Sequence, residues 1–254
     1  MPKDILSQVT DLEEHEESGH SFKTPVRYRR LDCFFAFYTA SMNALYEILP
    51  TEKIVPVPLW KGRCGVALVA FNYHDTSIGP YGEFAVAVPA IVRMMGENHY
   101  GVYIHRLPVT TELACVAGRS LWGYPKFVCD MEFESTGDRN AVTLVEEDTK
   151  ILGLSVKKGG IGIPWSRPLT TFTIKDEQLV ATEIQSSSLV RVVPHGLGRL
   201  DLGNHWMSDE LNKMGLKDRP MVTGDLLDAN MVLPRGKFLG LATRGKEAVP
   251  TPRS

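Results

Sequence analysis

The chain is poor in cysteine: four residues in 254, Cys33, Cys64, Cys115 and Cys129, widely spaced and without a CxxC pair. That argues against a zinc knuckle and a dense disulfide framework, and a reducing cytoplasm is the expected location. Neither charge is in excess, with 28 Lys+Arg against 30 Asp+Glu and a net charge of −2. Without a basic field to attract phosphate backbones, nucleic acid is not an expected partner. Long apolar runs are missing as well. The nearest, Leu31 to Leu49, is interrupted by Asp32, Asn43 and Glu47, which would be costly in lipid, so no membrane association is expected. The first twenty residues are acidic and lack the basic start, apolar stretch and cleavage site of a secretory leader, so none is expected there.

Internal repeats, low-complexity blocks and linkers are also absent, and a 43% hydrophobic content suffices for one large core. One domain over 23–240 is expected, with an N-terminal arm at 1–22 and a C-terminal tail at 241–254. DCFFAFY reads as a strand running into a helix that Ser41 caps and Pro50 ends. GVALVAFNY, EFAVAV and GVYIHRL read as strands. From Thr111 the period becomes helical, with Leu113, Val116, Ala117 and Leu121 on one face and Gly123 as the stop. Beyond residue 126, short β-like runs separated by turn-formers read as an antiparallel meander, with a short helix at SDELNKM and a closing strand at DANMVLP. The whole is a β-rich α+β fold: antiparallel sheets closing as a barrel or cone around a central cavity, with few short helices.

Several patterns are set aside. His74-Asp75 is no metal pair, because adjacent strand residues face opposite ways and no third ligand is near, so no metal is expected. KKGGIGIP and HGLGRLDLG lack the strand–glycine–helix order of a dinucleotide site and read as turns. Ser120 in GRSLW has no nucleophile elbow.

The informative segment is AGRSLWGYPK, where a helix stops at glycine and Lys126 follows amid Trp122, Tyr124 and Phe127. Most lysines are exposed stems with solvated heads; an apolar setting would instead favour the uncharged amine. GRSLWGYPK resembles the glycine-arginine and tyrosine-proline-lysine signature of the acetoacetate decarboxylase-like family. YTASMNALYEILP, HDTSIGPYGE and DANMVLP resemble further family segments in the same order, over roughly residues 25 to 238.

The resemblance implies a cofactor-independent lyase in which Lys126 forms a Schiff base with a keto acid, most simply a β-keto acid that loses CO2, in a homo-oligomer. It makes Glu83 a proton-handling carboxylate. Tyr81 shares Glu83's face if the segment is extended, Trp122, Tyr124 and Phe127 line the pocket, and Arg30, chosen from Arg27, Arg29 and Arg30, receives the substrate carboxylate. An ordinary lysine, with a pKa near 10.4, is neutral in only about one molecule in two thousand at pH 7, so desolvation has to help. The sequence departs from the family in three places. Phe127 replaces a second lysine, Val69 a second glutamate, and Leu31 falls on the family arginine. Aldolase- or dehydratase-type imine chemistry on another keto acid and a non-catalytic small-molecule binder are therefore the alternatives.

Overall fold

The structure, a computed structural model, describes residues 5–9, 12–94, 96–194 and 196–242. Its centre is a barrel of long strands: β1 (Val26–Ser41), β2 (Arg63–Thr76), β3 (Tyr81–Met94), β4 (Glu97–Arg106), β5 (Leu169–Lys175), β6 (Gln178–Pro194) and β7 (Val222–Leu233). Each strand pairs with the next in sequence, and β7 returns to β1. All these pairings are antiparallel except β4–β5, which is parallel at Thr171↔Val102 and Phe172↔Tyr103. A parallel neighbour requires a long crossover. Here the crossover carries helix α2 (Glu112–Trp122) and three strands of a second, four-stranded sheet, Asp130–Ser135, Arg139–Glu146 and Thr149–Lys157, which Gly198–Leu202 completes.

Both faces of the barrel wall are covered, which explains its apolar runs. Along β2, Val66, Leu68 and Ala70 pack outward against Leu144, Ile151 and Leu154 of the second sheet. Ala67, Val69, Phe71 and Tyr73 alternate with them and face the lumen. The same alternation on β3 sends Phe84, Val86 and Val88 outward and Glu83, Ala85 and Ala87 inward. The tight hairpins lack Asn-Gly. Their central residues, Glu147-Asp148 and Asp176-Glu177, nevertheless have positive φ, as two-residue turns between twisted strands require.

Ser41 caps the first helix, α1 (Met42–Ile48), and Thr111 caps α2, which ends at Gly123 in the left-handed conformation. Five details differ from the sequence reading. KKGGIGIP, read as a turn, includes the strand Ile161–Trp165, which lies along β6, and HGLGRLDLG includes Gly198–Leu202. The runs QLVATEI and LVRVV are one strand, β6, irregular between Ser187 and Leu189. The last helix, α3 (Trp206–Lys213), starts before SDELNKM and is capped by the ring of His205, while the Ser208 hydroxyl donates to the Ile151 carbonyl. Helix α2 buries Ala114, Cys115, Ala117, Gly118 and Trp122, whereas Leu113, Val116 and Leu121 are only partly covered. Part of the stretch read as an arm is a hairpin, Glu13–Glu17 with His20–Thr24, whose Phe22 is buried. The tail beyond residue 242 lies outside the described residues. No helix among them is long and apolar enough to cross a membrane.

An ionic cluster fastens α3 to the barrel. Arg106 donates to both oxygens of Glu210, at 2.9 and 2.5 Å, and stacks over Trp206, while His105 lies 3.1 Å from Glu210 Oε2. Burial pushes the Glu210 carboxyl up, but hydrogen bonds from His105 and Arg106 outweigh it and hold it below its usual 4.5. A carboxylate of this kind stabilises the fold above its unfolded-state pKa, and that contribution fades as pH falls through the folded value. Glu210→Gln should therefore cost about 2 kcal/mol at pH 7, and the gap from the unsubstituted protein should close below about pH 4.5. Urea unfolding at a series of pH values measures it; a gap independent of pH would show that the Glu210 charge contributes nothing.

Candidate active site

Residues 124–129 run extended beside 107–109, joined by Leu107 N–H to Pro125 O at 3.1 Å, Val109 N–H to Phe127 O at 2.9 Å and Cys129 N–H to Val109 O at 2.9 Å. Alternation along this segment turns Tyr124 and Lys126 into the lumen and Phe127 away from it. The left-handed Gly123 makes the turn from α2 into this path; a Cβ there would lie 2.6 Å from the Ile174 carbonyl oxygen. Tyr124 is held from the barrel side, its hydroxyl 2.8 Å from Thr171 Oγ1.

Lys126 is 4% exposed, and its Nζ lies 2.7 Å from Oε2 of Glu83, itself 7% exposed. The other Glu83 oxygen accepts from Tyr73 Oη at 3.1 Å. The amine sits 5.6 Å from the Tyr81 ring centroid and 5.8 Å from that of Tyr124, and Tyr81 Oη lies 3.1 Å from Tyr28 Oη. Burial, then the nearby Glu83 carboxylate, holds the Tyr73 phenol well above its usual value, and burial likewise raises Tyr28, Tyr81 and Tyr124. All four remain neutral O–H groups around one buried ion pair.

The pair closes one end of a lumen cavity of about 380 Å³. Its wall is otherwise mainly apolar, including Val69, Phe71, Val102, Ile104, Leu226 and Leu233. Among the lining residues only Lys126 and Glu83 are charged. Lys126 reaches this position because Gly118 faces it: a Cβ on Gly118 would lie 2.5 Å from Lys126 Cδ and 2.6 Å from Cε.

Of the residues singled out in the sequence, Lys126, Glu83, Tyr81 and Tyr124 come together. Trp122 stands behind Tyr124, their ring centroids 6.2 Å apart, and donates from Nε1 to the Pro234 carbonyl at 2.7 Å; it backs the wall without lining the cavity. Phe127, expected in the pocket, packs outside the barrel, 5.2 Å from the Trp206 ring. Arg30 is exposed at an irregularity of β1, outside the lumen, and neighbouring Arg29 pairs with Asp75. Val69 lines the cavity, and Leu31 is buried in the lumen-side core. Sequence reasoning missed Tyr73 and Tyr28. The parity of β2 signals Tyr73, since it shares a face with Val69 and Phe71; nothing local marks Tyr28, which reaches the pair from β1. Among the described residues, no group of three or more His, Cys, Asp or Glu side chains is arranged to hold a metal ion.

Residues 14–224 match the family model for acetoacetate decarboxylase (ADC). Over 196 residues the chain is 26% identical to acetoacetate decarboxylase of Acidiphilium cryptum, spanning 74% of this chain and 69% of that protein. Over 118 residues it is 29% identical to acetoacetate decarboxylase 1 of Bradyrhizobium diazoefficiens, spanning 45% of this chain but only 42% of that relative. Among solved structures it is similar to acetoacetate decarboxylase from Legionella pneumophila, with a TM-score of 0.68, 18% identity and coverage of 85% of this chain and 88% of that one. It is also similar to the enduracididine biosynthesis enzyme MppR complexed with pyruvate, with a TM-score of 0.62, 13% identity and coverage of 85% and 90%. At these identities the structural likeness establishes a shared fold.

Proposed function

The chain belongs to the acetoacetate decarboxylase family, and from that premise we propose that it is a carboxy-lyase that decarboxylates a β-keto acid through an imine on Lys126. The observation that carries this reading is the Lys126–Glu83 pair, 2.7 Å apart and buried at the end of an apolar lumen. A buried ion pair is at best weakly stabilising. Its presence beside an apolar lumen supports a chemical role.

In the proposed cycle a proton passes from Nζ to Glu83, which removes two buried charges and frees the nitrogen lone pair. The amine adds to the keto carbon. Glu83 returns its proton to the departing hydroxyl, so that water leaves and a protonated imine forms. The bond to the carboxylate then breaks, its electron pair moves through the α-carbon toward the iminium nitrogen, and CO2 departs. Protonation of the resulting enamine carbon and addition of water release the ketone and regenerate the amine. Tyr73, hydrogen-bonded to Glu83 Oε1, leaves Oε2 aimed at the amine, a positioning role.

Incubation with a β-keto acid and sodium borohydride, followed by peptide mapping, tests the reading: an adduct on Lys126 with CO2 release is expected. Glu83→Gln, which cannot shuttle the proton, should lower kcat about 10²- to 10⁴-fold. An unlabelled Lys126 across a panel of keto acids would leave a binding protein. An adduct without CO2 release would favour aldol- or dehydratase-type imine chemistry, a reading that Val69 at the family's glutamate position also supports.

A further inference from the structure

Acetoacetate has seven non-hydrogen atoms, and the lumen has room for roughly a dozen at about 30 Å³ each. The extra space has an identifiable source. Ala67, Ala85 and Ala87 all face inward, and Ala67 and Ala87 are direct partners across β2 and β3. Three methyl groups thus stand where larger side chains would close the lumen. The polarity is one-sided: both charges lie on buried residues, whereas Trp165 and Leu169 are the lining residues that are most exposed. Because no arginine lines the cavity, Lys126 is the cation available to a substrate carboxylate there.

Resting on the imine reading above, we propose that the substrate is a 3-oxo acid, R–CO–CH2–COO⁻, whose R group is an apolar chain of about five to eight carbons or a phenyl-bearing equivalent. The keto carbon meets Lys126 Nζ, the carboxylate stays at the charged end, and R runs along the alanine wall toward Trp165 and Leu169. Each methylene moved from water into this wall should improve binding about fourfold until the space is filled.

The test uses the ketones that such acids would release, because R–CO–CH3 condenses with the Lys126 amine by loss of water without any C–C cleavage. Acetone, 2-octanone and 4-phenyl-2-butanone are each incubated with the protein and sodium cyanoborohydride. Hydride transfer to the iminium carbon leaves a stable secondary amine, which intact mass and peptide mapping detect. Lys126 should be half-labelled by 2-octanone, about five methylenes longer than acetone, at concentrations roughly a thousandfold lower than by acetone, and by 4-phenyl-2-butanone at similarly low ones. In Ala87→Leu, judged folded by cooperative unfolding, that ratio should collapse toward one. Equal labelling by acetone and 2-octanone in the unsubstituted protein would overturn the proposed substrate class while leaving imine chemistry standing. Labelling of Lys126 by no ketone would remove both.

Discussion

Replacing Lys126 by alanine should lower kcat by about 10⁴-fold or more and abolish borohydride trapping, because no other amine lines the lumen. Lys126→Arg should be equally inactive, since a guanidinium keeps its proton and cannot attack a carbonyl. The arginine variant preserves a cation opposite Glu83, so the two substitutions separate chemistry from folding. Lys126→Met should cost about 3 to 5 kcal/mol by stranding the Glu83 carboxylate in an apolar chamber, and Lys126→Met combined with Glu83→Leu should recover most of that loss. Urea unfolding midpoints measure the stability and keto-acid turnover the activity. Turnover retained by Lys126→Ala would end the imine reading. A double variant no more stable than the single would show that the stranded Glu83 carboxylate is not what destabilises Lys126→Met.

These outcomes depend on residues that the sequence made visible to very different degrees. The strands at GVALVAFNY and EFAVAV were legible because apolar runs bounded by turn residues have few other uses. The α2 boundaries were legible to within about one residue, because Thr110 or Thr111 at the start and Gly123 at the end are local signals. Lys126 stood out by its aromatic company and its resemblance to a family signature. The inward face of α2 was not legible, because hydrophobicity favoured Leu113 and Leu121, whereas the fold buries small residues to make way for a side chain arriving from the next segment. The outward turn of Phe127 required knowing that 124–129 pairs beside 107–109, a long-range contact that no local pattern encodes. The same holds for Arg30: its distance from the lumen follows from irregularities in the β1 pairing, and each such irregularity redirects a side chain.

Gly118→Ala should separate local preference from the demands of the site. In the interior of a helix, alanine is favoured over glycine by up to about 1 kcal/mol, yet its Cβ would lie 2.5 Å from Lys126 Cδ and 2.6 Å from Cε. The atoms it meets belong to a flexible stem, so the lysine will swing aside before the helix moves. The fold should survive, with an unfolding midpoint close to that of the unsubstituted protein. The amine, however, would shift from its 2.7 Å contact with Glu83 while staying close enough to neutralise the carboxylate, and displacement of a reacting group by about 1 Å costs on the order of 10²-fold in rate. The expected signature is a kcat at least about a hundredfold lower, slower trapping of Lys126 by borohydride and unchanged stability. Full activity in Gly118→Ala would mean that the lysine stem has another path to the lumen. A fall in the unfolding midpoint alongside kcat would instead identify Gly118 as a packing requirement of α2.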